Sequence, residues 1–116
     1  MMQGRGVPSK RCGLSKCAFR PSDDATTFPF LIPANAMAVV ELEKVSEILD
    51  VLVLQNQNYE NKEKSSRIKV LSEEARQLAS EIRKGIDDYA FAPHPIYGTI
   101  FAYEVDGFGS AYFFFF

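Results

Sequence analysis

The sequence predicts an all-α fold: one long amphipathic helix, or a two-helix antiparallel hairpin, over residues 35–86, with irregular or disordered N- and C-terminal segments. Two observations predict it. Apolar residues recur at three- and four-residue steps, at Leu42, Val45, Leu49 and Leu52 and again at Ile68, Leu71, Ala75, Leu78 and Ile82, which lines one face of a helix. No Gly or Pro falls between Asn35 and Lys84, whereas both residues punctuate the flanks.

Residues 1–34 read as a basic leader. Arg5, Lys10, Arg11, Lys16 and Arg20 precede the first acid, Asp23. A basic, acid-free, Ser-containing head has the composition of an organellar transit peptide, but Gly4, Gly6, Pro8 and Gly13 weaken any helix there. A disordered leader is the expectation. Asp23-Asp24 with Thr26-Thr27 reads as a polar turn, and Phe28, Phe30, Leu31 and Ile32 as a small apolar cluster between prolines. Cys12 and Cys17 are too few for a disulfide scaffold. A zinc site would need two more ligands, and His94 cannot supply both. Free thiols, no metal and no cofactor are expected.

The helical region, 35–86, starts with Asn35 as a candidate N-cap, followed by Glu41 and Glu43 near the positive end of the helix dipole. Leu42, Val45, Leu49, Leu52, Asn56 and Tyr59 fall on successive a and d positions of a heptad. Ile48, Val51, Val53 and Leu54 widen that stripe to most of the circumference, the mark of a helix buried on several sides. The polar stretch from Gln55 to Arg67 interrupts the pattern. It reads either as a loop, with Ser65 or Ser66 capping a second helix, or as a continuous helix carried by the Glu60–Lys64 and Glu63–Arg67 pairs at about 0.2–0.5 kcal/mol each. Arg83, Lys84 and Gly85 mark the C-terminal end, Gly85 as the left-handed cap.

Residues 87–116 form an aromatic-rich, weakly structured tail. Ala92-Pro93-His94-Pro95 reads as an extended linker, Ile96 to Val105 as one strand, and Asp106-Gly107 as a turn. One strand is not stable alone. The run Phe113 to Phe116 is too short to span a bilayer, and no stretch of the chain reads as a transmembrane span.

The net charge of −2 conceals a basic head on an acidic body, which argues against a nucleic-acid partner. Phosphate loops, zinc spacings and nucleophile elbows are absent, and His94 has no orienting acid or nucleophile placed by spacing. No small-molecule substrate is evident. The expectation is therefore a non-enzymatic structural or adaptor protein, intracellular and cytoplasmic rather than organellar. It would act by coiled-coil or bundle association with a partner helix or with itself. Leu42, Val45, Leu49, Leu52, Ile68, Leu71, Leu78 and Ile82 are the interaction residues of that reading. Two alternatives stand beside it. One is a small organellar or membrane-surface protein using the head for import and the tail as anchor. The other is a truncated or mis-annotated gene product, with Met37 as a possible true start.

Overall fold

The computed structural model describes residues 6–56 and 62–113. The elements run β1 (Phe30–Leu31), α1 (Ile32–Asn56), α2 (Lys62–Tyr89), β2 (Phe91–His94), β3 (Gly98–Phe101), β4 (Glu104–Val105) and β5 (Ala111–Tyr112). The fold is therefore not all-α. Two packed antiparallel helices are closed at one end by short antiparallel strands, in sheet order β1-β4-β5, and a separate β2-β3 hairpin lies beyond α2. One strand is expected from the sequence where five form, because three of them are two residues long and β1 finds its partner far away in the chain, Phe30 opposite Val105 and Leu31 opposite Glu104. No periodicity over two residues can announce that pairing.

The expected single strand Ile96 to Val105 is instead split. Its first part pairs with the Pro-containing stretch, Phe91 opposite Phe101 and His94 opposite Gly98, and its end joins the other sheet. Pro93 is tolerated because β2 has a partner on one side only.

The core lies where the start of α1 and the end of α2 meet the strands. Phe30, Ile32, Val39, Ile82, Ile86, Ala90, Ala102 and Val105 are buried together, with Cys12 from the leader. The opposite end of the helix pair carries exposed Ile48, Val51, Leu54, Val70 and Leu71.

Within the pair, only part of the expected stripe turns inward: Leu42, Leu49, Ile68 and Ile82 are buried or half-buried, while Val45, Leu52, Leu71 and Leu78 are exposed. Ser46 is buried where Val45 was expected, and Ser72 and Ala79 where Leu71 and Leu78 were. Small residues let the backbones approach, so Ser72 Oγ reaches the Ser46 carbonyl at 3.1 Å. Two exposed ion pairs, Arg76–Asp50 and Arg83–Glu43, each at 2.6 Å, flank the contact. A continuous heptad seam does not make this interface, because only half of its expected residues turn inward, and the coiled-coil reading is corrected accordingly.

Both expected helix ends also move. α1 begins at Ile32, whose N–H donates to the Tyr103 carbonyl at 2.9 Å. Asn35 is thus inside the first turn and clamps the leader. Its Oδ1 accepts from Ser15 N at 2.8 Å, and its Nδ2 donates to the Ser15 carbonyl at 3.0 Å. α2 runs through Gly85 to Tyr89. The sequence-derived pair Glu63–Arg67 stands at 3.4 Å. Tyr59, Glu60 of the Glu60–Lys64 pair, Arg5 and Phe114 to Phe116 lie outside the described residues, as does the Asn56 side chain. Among the described residues no helix is long and apolar enough to cross a membrane.

Candidate active site

Residues 17–29 form a small irregular hairpin. Cys17 N donates to the Pro29 carbonyl at 2.8 Å and Thr26 N to the Ala18 carbonyl at 3.1 Å, and Phe19 bridges Ala25. At the tip Asp23 N donates to the Arg20 carbonyl at 3.0 Å, and Arg20 N to the Asp24 carbonyl at 2.8 Å. The sequence dictates this turn. Pro21 presets the φ that the first central position of a β-turn needs, and the third loop residue then takes the left-handed region.

That third residue is Asp23, at φ 65, the one non-glycine residue with positive φ among those described. Glycine is the least strained choice there; Asp is one of the few other residues that tolerate this region, at some backbone cost, and here it presents a carboxyl at the tip. The Asp23 side chain is exposed and makes no hydrogen bond or ion pair among the described residues. Asp24 is braced, its Oδ2 accepting from Ser22 Oγ at 2.9 Å.

The hairpin stands on a buried charge. The Glu104 side chain has no exposed surface, and its Oε1 accepts from Arg20 Nε at 2.6 Å. Its Oε2 accepts from Thr27 N at 2.7 Å and Phe28 N at 3.0 Å. A buried carboxylate is tolerable only when paired and hydrogen-bonded, and Glu104 is both. The Arg20 guanidinium carbon lies 5.5 Å from the centre of the Tyr103 ring and 5.2 Å from that of Tyr112. The hydrogen bond to Glu104 and its charge push Arg20 further up from an already high pKa. On the hairpin's flank a cavity of about 370 Å³ is lined by Lys16, Cys17, Thr26, Thr27 and Pro29 among others.

The expected interaction residues do not converge on this place. Ile82 is buried in the core, Leu42, Leu49 and Ile68 are half-buried along the helix pair, and Val45, Leu52, Leu71 and Leu78 are exposed. His94 organises its own turn, its Nδ1 accepting from Ile96 N at 3.1 Å and Tyr97 N at 3.3 Å while its ring stacks on Tyr97. Cys12 and Cys17 are free thiols, and burial pushes the Cys12 thiol up. Among the described residues no group of three or more His, Cys, Asp or Glu gathers as metal ligands.

Sequence reasoning took Asp23-Asp24 for a polar turn and gave Glu104 no role. Each had a signal. Asp23-Asp24 breaks an acid-free basic head, and Glu104 is the only acid between Tyr89 and Val105. A lone charge in an apolar, strand-forming run needs a buried partner or an exit to water.

The profile of the metal-independent alpha-mannosidase family, GH125, matches residues 1–114. The meiotically up-regulated gene 157 protein of Schizosaccharomyces pombe is 39% identical over 113 residues, 97% of this chain and 19% of that protein. A solved Streptococcus pneumoniae metal-independent alpha mannosidase, in a non-productive complex with alpha-1,6-mannobiose, superposes with TM-score 0.74 at 36% identity. That match covers 92% of this chain and 22% of the other. The chain thus spans about a fifth of the length of these relatives.

These matches overturn the reading of a non-enzymatic helix adaptor. The apolar stripe that suggested it is divided between the core, the helix pair and the surface, and the family is one of glycoside hydrolases.

Proposed function

The chain belongs to the metal-independent alpha-mannosidase family, GH125, and from that membership we propose that it forms part of an α-mannoside-hydrolysing site, with Asp23 as one of its catalytic carboxyls. The observation that carries the assignment is the strained, exposed Asp23 at the tip of a hairpin fixed to a buried ion pair. Glycoside hydrolysis by side chains alone uses two carboxyl groups. One protonates the leaving oxygen, and the other activates water or attacks the anomeric carbon. A sugar ring must fit between them, which sets a separation of roughly 5–9.5 Å. The neighbouring Asp24 is tied to Ser22, so Asp23 is taken as one member and its counterpart as a residue from outside this hairpin. Asp24, tied to Ser22, shapes the tip and adds negative charge beside an oxocarbenium-like transition state.

A hybrid enzyme tests this. Residues 1–114 replace the matching part of the S. pneumoniae mannosidase, and hydrolysis of alpha-1,6-mannobiose is followed in the presence of a chelator. The folded hybrid should hydrolyse the disaccharide, and D23N should cut kcat by about 10²–10⁴-fold. A folded hybrid that is inactive, or one in which D23N turns over at the parental rate, overturns the assignment.

A further inference from the structure

We propose that Glu104 and Arg20 are positioning residues that aim the Asp23 carboxyl, an inference that rests on the catalytic reading of Asp23. Both legs of the hairpin end on one carboxylate. The incoming leg arrives through Arg20 Nε on Oε1 at 2.6 Å, and the outgoing leg through Thr27 N and Phe28 N on Oε2 at 2.7 and 3.0 Å. Arg20 Nη2 adds a bond across the legs to Thr27 Oγ1 at 3.2 Å.

Arg20 also frames the tip. Its own N–H and carbonyl close the turn on Asp24 and Asp23, so a shift of the Arg20 backbone becomes a shift of Asp23. The guanidinium is held by Tyr103 and Tyr112 as well as by Glu104. Glu104 is rigid in turn. It sits on β4, the central strand, opposite Leu31 on one side and Tyr112 on the other. The ion pair joins residues 84 apart in sequence, which ties the loop directly to the sheet.

An apolar pair of equal volume would fill this space without the cost of burying charge. It would not set the orientation of two chain segments about one point. Fixing a catalytic group within a fraction of an ångström is what the carboxylate and the planar guanidinium supply here.

The test joins a structural readout on the full chain to a kinetic one on the hybrid. In the 116-residue chain, E104Q and R20K should speed amide exchange at Arg20, Asp23 and Thr27 by about tenfold or more, leaving Ala79 and Ile82 protected as before. In the hybrid the same substitutions should lower kcat by about 10–100-fold with KM changed less than about twofold, and E104D should recover part of the loss. Unchanged loop exchange in folded E104Q and R20K overturns the proposal. So does a rate loss that only follows the unfolded fraction. Faster loop exchange with a harmless D23N would keep the anchor and sink the catalytic reading, so the two ideas fail separately.

Discussion

The Cys12 carbonyl lies so close over Gly85 that a β-carbon built on that glycine would stand 2.6 Å from the oxygen, with Leu14 Cδ2 at 3.0 Å. The leader crosses α2 at this point. Glycine is here for space, because Gly85 sits inside a helix that continues to Tyr89. G85A should therefore destabilise the chain by about 1–2 kcal/mol even though Ala gains about 1 kcal/mol of helix propensity. Urea unfolding monitored by helical circular dichroism measures the sign. A more stable G85A would mean that residues 12–14 do not press on α2.

Ser72 has no exposed surface and directs its hydroxyl at both the Ser46 carbonyl and the Asp50 carboxylate. The Ser72 bond, and then Arg76, hold Asp50 below the usual carboxylate pKa despite some desolvation. S72A should cost about 1 kcal/mol and let the Asp50 pKa rise toward its ordinary value. Because a depressed carboxylate stabilises the fold above its unfolded pKa and ceases to as pH falls through the folded one, S72A should also flatten that part of the acid limb. Carboxyl carbon NMR on Asp50 reads the first effect directly.

The helices were legible in the sequence and their environment was not. Three- and four-residue spacing identifies a helix from Ile68 to Ile82, but hydrophobicity alone placed Leu71 and Leu78 inward, where the structure places Ser72 and Ala79. The error has a physical origin: close helix approach favours small side chains, which a reading based on apolarity passes over. Gly85 and Asn35 were taken as caps because local rules know only local partners. Their real partners, Cys12 and Ser15, lie 73 and 20 residues away. The candidate site was hidden for the same reason. Arg20 and Glu104 acquire meaning only once β1 pairs with β4.

Val45, Leu52 and Leu71 are exposed and stand outside the buried helix stripe. Replacing each singly with Lys should change stability by less than about 0.5 kcal/mol. Ile82→Lys, in the buried core, should unfold the chain. Thermal melts of the four variants separate the two stripes. A large loss at Leu52 or Leu71 would restore the heptad seam.

Asp23 carries backbone strain that glycine would not. D23G should leave stability unchanged or raise it by up to about 1 kcal/mol, while hydrolysis by the hybrid enzyme is lost. D23N keeps the side chain's shape and a good left-handed former, so it should match the parent in melting temperature and D23G in inactivity. Stability and activity moving together in both variants would make Asp23 a structural residue.

Asp106 holds the turn that follows β4, and the leader with it. Its Oδ1 accepts from Phe108 N at 2.8 Å and Ser110 N at 3.0 Å, while its backbone carbonyl accepts from Lys10 N at 2.9 Å. Gly107, at φ 80, turns under the Lys10 carbonyl, where a β-carbon would lie 2.2 Å from the oxygen. Burial alone would raise the Asp106 pKa, but the amide bonds from Phe108 and Ser110 and the Ser110 hydroxyl outweigh it, and the net direction is down. A depressed carboxylate adds stability that is fully present above its unfolded pKa of about 3.9 and is lost as pH falls through its lower folded value. D106N keeps an oxygen for the two amides and gives up the charge. Near neutral pH it should therefore be less stable by about 1 kcal/mol, with the gap closing as pH falls below about 4. Denaturant midpoints for parent and D106N from pH 7 to pH 2 test this, and parallel curves throughout would show that the Asp106 charge does not stabilise the turn.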